Sequence, residues 1–173
     1  MYHRYFALQN KTIEDSLENT RDFYLLLLLN EFFTSKYRLD LILKGVSAAK
    51  LAYGIGRGDY SLQLVTLKEI PVNELFLNVK KFVSKIQGMS VISDFEQRYT
   101  YNLDLRVREN EEVDFKIDLE ITKIKYGWKK GLNYDVRALK CKNWDYAVLG
   151  NVQNLGEIIA ENSGNPEFVN IRI

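Results

Sequence analysis

Leu39-Asp-Leu-Ile-Leu-Lys-Gly45-Val-Ser-Ala-Ala-Lys-Leu-Ala-Tyr-Gly54-Ile-Gly-Arg-Gly-Asp-Tyr-Ser61-Leu-Gln-Leu-Val-Thr66 is the stretch on which the fold turns. Leu39–Lys44 is a short apolar run of strand length, and Gly45 follows it as a turn residue. Val46–Tyr53, opened by Gly45 and free of Gly and Pro, predicts a short helix, and Ser61–Thr66 predicts a second strand. The order is therefore strand, glycine turn, helix, strand.

On the N-terminal side, Thr12–Tyr37 holds neither Gly nor Pro, and Ile13, Leu17, Phe23, Leu26, Leu27 and Phe33 fall near helical spacing. One long helix or two is expected there, and the five consecutive leucines 25–29 mark it as buried. On the C-terminal side, Pro71 stands where a helix begins, and an apolar stripe from Val72 to Ile86 ends at Gly88. Two alternating runs, 99–107 and 113–121, then flank Glu109-Asn110-Glu111 and predict an antiparallel hairpin. With 109–111 as its loop, Arg108 opposes Glu112, Arg106 opposes Asp114, and Asp104 opposes Lys116. A slide of two residues would set Asp104 against Asp118 or Asp114, so charge favours the first register. Trp144–Leu149 predicts a strand, Val152–Glu161 a helix, and Phe168–Ile173 a closing strand. The fold class expected is α+β or α/β: a mixed sheet covered by the N-terminal helices and helix 72–87, in a single domain spanning 1–173.

Composition removes several chemistries. The 173 residues are 46% hydrophobic and 27% charged, which suits a globular chain. Cys141 and His3 are each the only one of their kind, which excludes an intrachain disulfide and a Cys/His zinc site, and a lone His so near the amino terminus argues against a Ser-His or Cys-His hydrolase. Carboxylates, lysines and a bound cation remain. The net charge of +1 provides no bulk attraction to nucleic acid or membrane. The longest apolar run, Phe23–Leu29, is too short to span a bilayer, and Met1-Tyr-His-Arg lacks a signal-peptide core, which points to a soluble cytoplasmic protein.

Lys44-Gly-Val-Ser-Ala-Ala-Lys-Leu-Ala-Tyr-Gly-Ile-Gly-Arg57, with the strand after it, resembles the signature of the AbiEii/AbiGii-type nucleotidyltransferase-like family of the DNA polymerase β superfamily. That signature runs strand, Lys-Gly-Gly-Thr-Ala, a short helix ending near Tyr-Gly, an Arg, and a strand opening with Asp-x-Asp. Lys44, Gly45, Ser47 for Thr, Ala48, Leu51, Tyr53, Gly54 and Arg57 match it without a gap. Ser61 and Gln63 stand where the two metal-binding aspartates belong. The resemblance implies a nucleotide site at Lys44, Gly45, Ser47 and Arg57, and degenerate catalytic positions at Ser61, Gln63 and a later-strand carboxylate, Asp118 or Glu120. Ser61 and Gln63 carry no charge, and Mg²⁺ is normally recruited by carboxylates plus substrate phosphates. The implied protein is a nucleotidyltransferase homologue without transfer activity, acting as a binding or regulatory module related to toxin–antitoxin or phage-defence systems. No cofactor is expected, and Mg²⁺ would enter only with a complete carboxylate set. An ordinary strand, turn and packed helix accounts for Lys44–Leu64 as well.

Two other sites compete. Asp104, with Asp114-Phe-Lys116 ten residues on, fits the spacing of a PD-(D/E)xK nuclease, in which carboxylates hold Mg²⁺ and the lysine orients water. A solvated strand face laced by ion pairs explains the same residues and Arg106, Arg108 and Glu112 too. Lys123–Lys142 holds seven Lys/Arg against Asp135 alone, with Tyr126, Trp128 and Tyr134 interleaved. RNA or a nucleotide is the partner that Lys125, Trp128, Lys129 and Lys130 would take, phosphates on the lysines and bases on the rings. A protein-interaction domain with no small-molecule site is the remaining alternative.

Overall fold

The computed structural model describes residues 13–123, 132–142, 144–166 and 168. Helix α1 (Ile13–Thr34) is unbroken, and Leu25 to Leu29 are all at most 1% exposed. A helix apolar all round in this way is a core element, not a surface one. A 3₁₀ turn, Arg38–Asp40, leads into β1 (Leu41–Lys44), α2 (Gly45–Tyr53) and β2 (Ser61–Thr66). Then come α3 (Val72–Val83), β3 (Met89–Glu96), β4 (Thr100–Arg108) and β5 (Asp114–Thr122). The series closes with β6 (Tyr134–Cys141), β7 (Trp144–Gln153) and α4 (Leu155–Glu161).

The strands form one mixed sheet in the order β3-β4-β5-β2-β1-β7-β6. β1 pairs antiparallel with β2 and parallel with β7, and β2 pairs parallel with β5. The expected neighbours, 39–44 beside 61–66 with the hairpin joining them, are all present. Leu41, Leu43, Leu62, Leu64, Leu103, Leu105, Ile117 and Leu119 face one way into the core that α1, α2 and α3 cover. Side chains of opposite parity carry the polar residues described below.

The structure departs from the expectations, or adds to them, in four respects. The hairpin register is shifted by two: Asp104 opposes Asp118, Arg106 opposes Lys116 and Arg108 opposes Asp114, so Asp104 does not face Lys116. The loop decides this, because Asn110 Oδ1 accepts the Glu112 and Val113 N–H groups at 2.8 and 2.9 Å and the Glu109 N–H donates to the Val113 carbonyl at 2.9 Å. That Asx turn needs two more residues than a 109–111 loop supplies. The carboxylate opposition is relieved by Ser93 Oγ, which donates to Asp104 at 2.7 Å, and Asp114 takes a bidentate pair from Arg106 on the diagonal. A shift of two leaves every apolar residue on its original face, so hydrophobic patterning does not oppose it. Second, 89–96 and 134–141 are strands. Third, β7 runs through Val152 to Gln153, so the last helix starts at Leu155. Fourth, Phe168 lies in a turn; the rest of the expected closing strand falls outside the described residues.

Candidate functional site

β2 is the central strand of the polar face, with β5 on one side and β1 on the other, and its position decides what Ser61 and Gln63 meet. Ser61 is paired with Asp118, Gln63 with Glu120, and Gln63 also with Lys44 across β1. Paired residues project to the same face, so two polar rows cross the sheet: Ser61, Asp118, Asp104 and Ser93, and beside it Lys44, Gln63, Glu120 and Asn102.

Gly45 opens α2 at φ +79°, a conformation in which a side chain is strained. A Cβ there would lie 2.5 Å from Gln63 Oε1, so the Gln63 amide rests directly on the glycine turn. The Gly45 N–H points to Gln153 Oε1 at 3.4 Å, Gln153 Nε2 donates to Glu161 Oε1 at 3.0 Å, and Lys44 Nζ lies 3.6 Å from Glu161 Oε2. Lys44 and the turn are thus linked to α4 through one polar chain.

Ser47 is 2% exposed, and its hydroxyl is engaged within the fold: Oγ donates to the Ser61 carbonyl at 2.6 Å and lies 3.0 Å from Asp59 Oδ1. The Asp59 oxygen also accepts the Ser61 N–H at 3.1 Å and the Ser61 hydroxyl at 2.8 Å. Asp59 therefore ties the start of α2 to the start of β2, a role that sequence reading missed. Its only signal was a carboxylate two residues ahead of Ser61, on the same strand parity. Arg57, exposed in the loop before it, is held by its backbone: the Arg57 carbonyl accepts from Arg21 Nη2, while the Arg21 guanidinium lies 5.2 Å from the Tyr60 ring centroid. Arg21 is only 3% exposed, so a buried cation on α1 fixes the loop that delivers Asp59 and Ser61.

Lys44, Gly45, Ser47, Ser61, Gln63 and Asp118 are therefore brought together at one end of β1 and β2, and Arg57 is exposed in the loop that delivers Asp59. The donor set does not fit a two-Mg²⁺ centre: two of the strand positions are neutral, and among the described residues no cluster of three or more His, Cys, Asp or Glu is placed to hold a metal. The nuclease constellation is not assembled either. Asp104 is bound by Ser93, while Asp114 is clamped by Arg106, which holds its carboxyl below the usual carboxylate range, with Arg108 at 3.8 Å adding to this. Lys125, Trp128, Lys129 and Lys130 lie outside the described residues.

The architecture is that of a nucleotidyltransferase-like fold, and solved structures share it. MenT4, a nucleotidyltransferase toxin of Mycobacterium tuberculosis, superposes with a TM-score of 0.57 at 16% identity, covering 86% of this chain and 52% of its own. A Helicobacter pylori protein described as a candidate nucleotidyltransferase gives 0.53 at 16% identity, covering 82% and 56%; JHP933, also from Helicobacter pylori, gives 0.52 at 16%, covering 83% and 55%. The chain spans about half the length of these structures. No family model and no curated protein matches it. At such identities the likeness establishes the fold. Among the described residues no helix is long and apolar enough to cross a membrane.

Proposed function

We propose that this chain is a toxin-related nucleotidyltransferase-like module that binds a nucleotide without metal-dependent transfer. The observation that carries the reading is the Gln63 amide seated on the Gly45 turn, with neutral Ser61 beside Asp118. Transfer by this fold needs negative charge to concentrate Mg²⁺ against the triphosphate, and two neutral side chains replace it here. Phosphate affinity through Lys44, the helix start at Gly45 and Arg57 survives that replacement, because none of these interactions uses a metal. Ser47 and Asp59 serve by holding the turn in shape.

The test is isotope transfer from labelled ATP, GTP, CTP and UTP, with Mg²⁺ or Mn²⁺, to bulk tRNA or protein. Wild type is expected to be silent, and the Ser61→Asp, Gln63→Asp double variant to gain incorporation. Strong wild-type incorporation that disappears in Asp118→Asn would overturn the reading and make this a working transferase.

A further inference from the structure

A second concavity, of about 580 Å³, opens between α1, α2 and β6, at the end of α2 opposite the Gly45 turn. Lys50, its nearest α2 residue, is five positions along the helix from Gly45, roughly 8 Å at 1.5 Å per residue. Its walls carry Asn19 and Asp22 from α1, Lys50 from α2, and Arg137, Lys140 and Lys142 from β6 and the turn after it.

The walls are one-sided in charge. Many described cations stand beside carboxylates, Lys36 with Glu74, Lys68 with Asp40, Lys80 with Asp94 and Lys123 with Glu96, and others stand singly on the surface, but here four line one hollow. Among the described residues none of Lys50, Arg137, Lys140 and Lys142 has a carboxylate within 4 Å. The one acid on the walls, Asp22, is already matched: Arg21 Nε and Nη2 donate to its Oδ1 at 3.0 and 2.8 Å. Four cations gathered round a hollow, in a chain of net charge +1, repel one another until an anion enters. Arg137 is also pinned, its guanidinium 4.6 Å from the Tyr53 ring centroid.

The deep end has a different chemistry. Asp22 is 4% and Asn19 8% exposed, and Asp22 Oδ2 has no hydrogen-bond partner among the described residues. An unpartnered acceptor on the wall of a hollow fits a hydroxyl or amino donor on a ligand. The volume lies within the ~300–1,000 Å³ of small-molecule sites. We propose that this cavity is a second ligand site, for a phosphorylated small molecule of mononucleotide size: its phosphates on Lys140, Lys142, Lys50 and Arg137, a hydroxyl or amino group on Asp22. The site is independent of the nucleotide reading at Gly45.

Calorimetric titration of the full chain with ATP, GTP and tripolyphosphate, without metal and at low salt, tests this. A Lys44→Ala, Arg57→Ala background removes the Gly45 site's cations, so binding that persists there and falls on changing Lys140 and Lys142 reports the second cavity. Lys140→Glu with Lys142→Glu, both exposed and so harmless to folding, is expected to weaken nucleotide binding in that background at least ~10-fold, the loss of one or more charge-assisted hydrogen bonds. Asp22→Asn is expected to weaken ATP or GTP and spare tripolyphosphate, which has nothing to donate to it. Three results would overturn the proposal: none of the three probes binds in that background, the charge reversals leave binding unchanged, or a short oligouridylate binds while the small probes do not. Loss of binding only on changing Lys44 and Arg57 would leave the Gly45 reading standing and remove this one.

Discussion

Asp22 shows how one side chain couples packing to pH. It lies in α1 with a side chain 6% exposed, and burial pushes its carboxyl above the ordinary 3.8; Arg21 and then Lys50 pull it back down by less, and Glu18 adds to the rise. A carboxyl raised on folding binds its proton more tightly in the native state than in the unfolded one. Stability is then fullest while both states are protonated and falls as pH climbs from the unfolded value through the native one. Exposed carboxylates such as Asp114 and Glu74, held low by Arg106 and Lys36, act in the opposite sense and lose their contribution on acidification. Asp22→Asn removes the first effect and leaves the second. Urea midpoints of wild type and variant, compared from about pH 4 to about pH 7, should show wild type losing ground to the variant as pH rises. A difference that is flat, or that grows in favour of wild type, would show that Arg21 outweighs burial.

Among the elements, the β4–β5 hairpin shows what patterning can and cannot decide. Alternation fixes which residues face the core, but registers two residues apart share that property, and only the Asn110 turn separates them. With Cys141→Ser to remove the native thiol, Arg108→Cys with Asp114→Cys should oxidise readily, because opposed residues bring their Cα atoms within ~5.5 Å. Arg108→Cys with Glu112→Cys should not. Readier cross-linking of the second pair, read by mass spectrometry under mild oxidant, would restore the charge-selected register. The same limit explains which strands were legible. β1 and β2 are central, and their buried leucines and isoleucine announce them. β3 and β6 are the two edges: in β3 only Met89 is buried, and in β6 only Leu139, so neither shows clean alternation and β6 resembles a basic loop. The strand ends that bring Ser61, Gln63 and Asp118 together followed from parity and the glycine turn. Asp59 did not, since its work is to hold backbone and hydroxyls, and the second cavity did not, since positions 22, 50 and 137–142 meet only through tertiary packing.

The whole molecule depends on how closely α1 lies against a sheet assembled from distant segments. β7 joins β1 more than a hundred residues away in sequence, with Asn151 opposite Ile42, and α1 packs over β7 and its neighbour β6. Gly150 marks the closest approach. A Cβ built there would stand 2.6 Å from Phe33 Cδ2 and Cε2, and Phe33 is itself 4% exposed, so the ring rests on bare backbone. The backbone of Gly150 is not in the left-handed region, so the sign of a substitution is set by space alone. If the contact were loose, alanine would stabilise by about 0.5–1 kcal/mol, through the smaller entropy it loses in a strand. With a ring carbon at 2.6 Å, Gly150→Ala must instead lift α1 or turn Phe33 from its rotamer, which costs about 1–3 kcal/mol for an overpacked core. Phe33→Leu frees part of the ring volume, so the double variant should lose less stability than the two single losses added together. Urea unfolding of the four proteins measures both quantities. A neutral or stabilising Gly150→Ala would mean that α1 and β7 leave room for a methyl group between Phe33 and Gly150, and that the contact is loose.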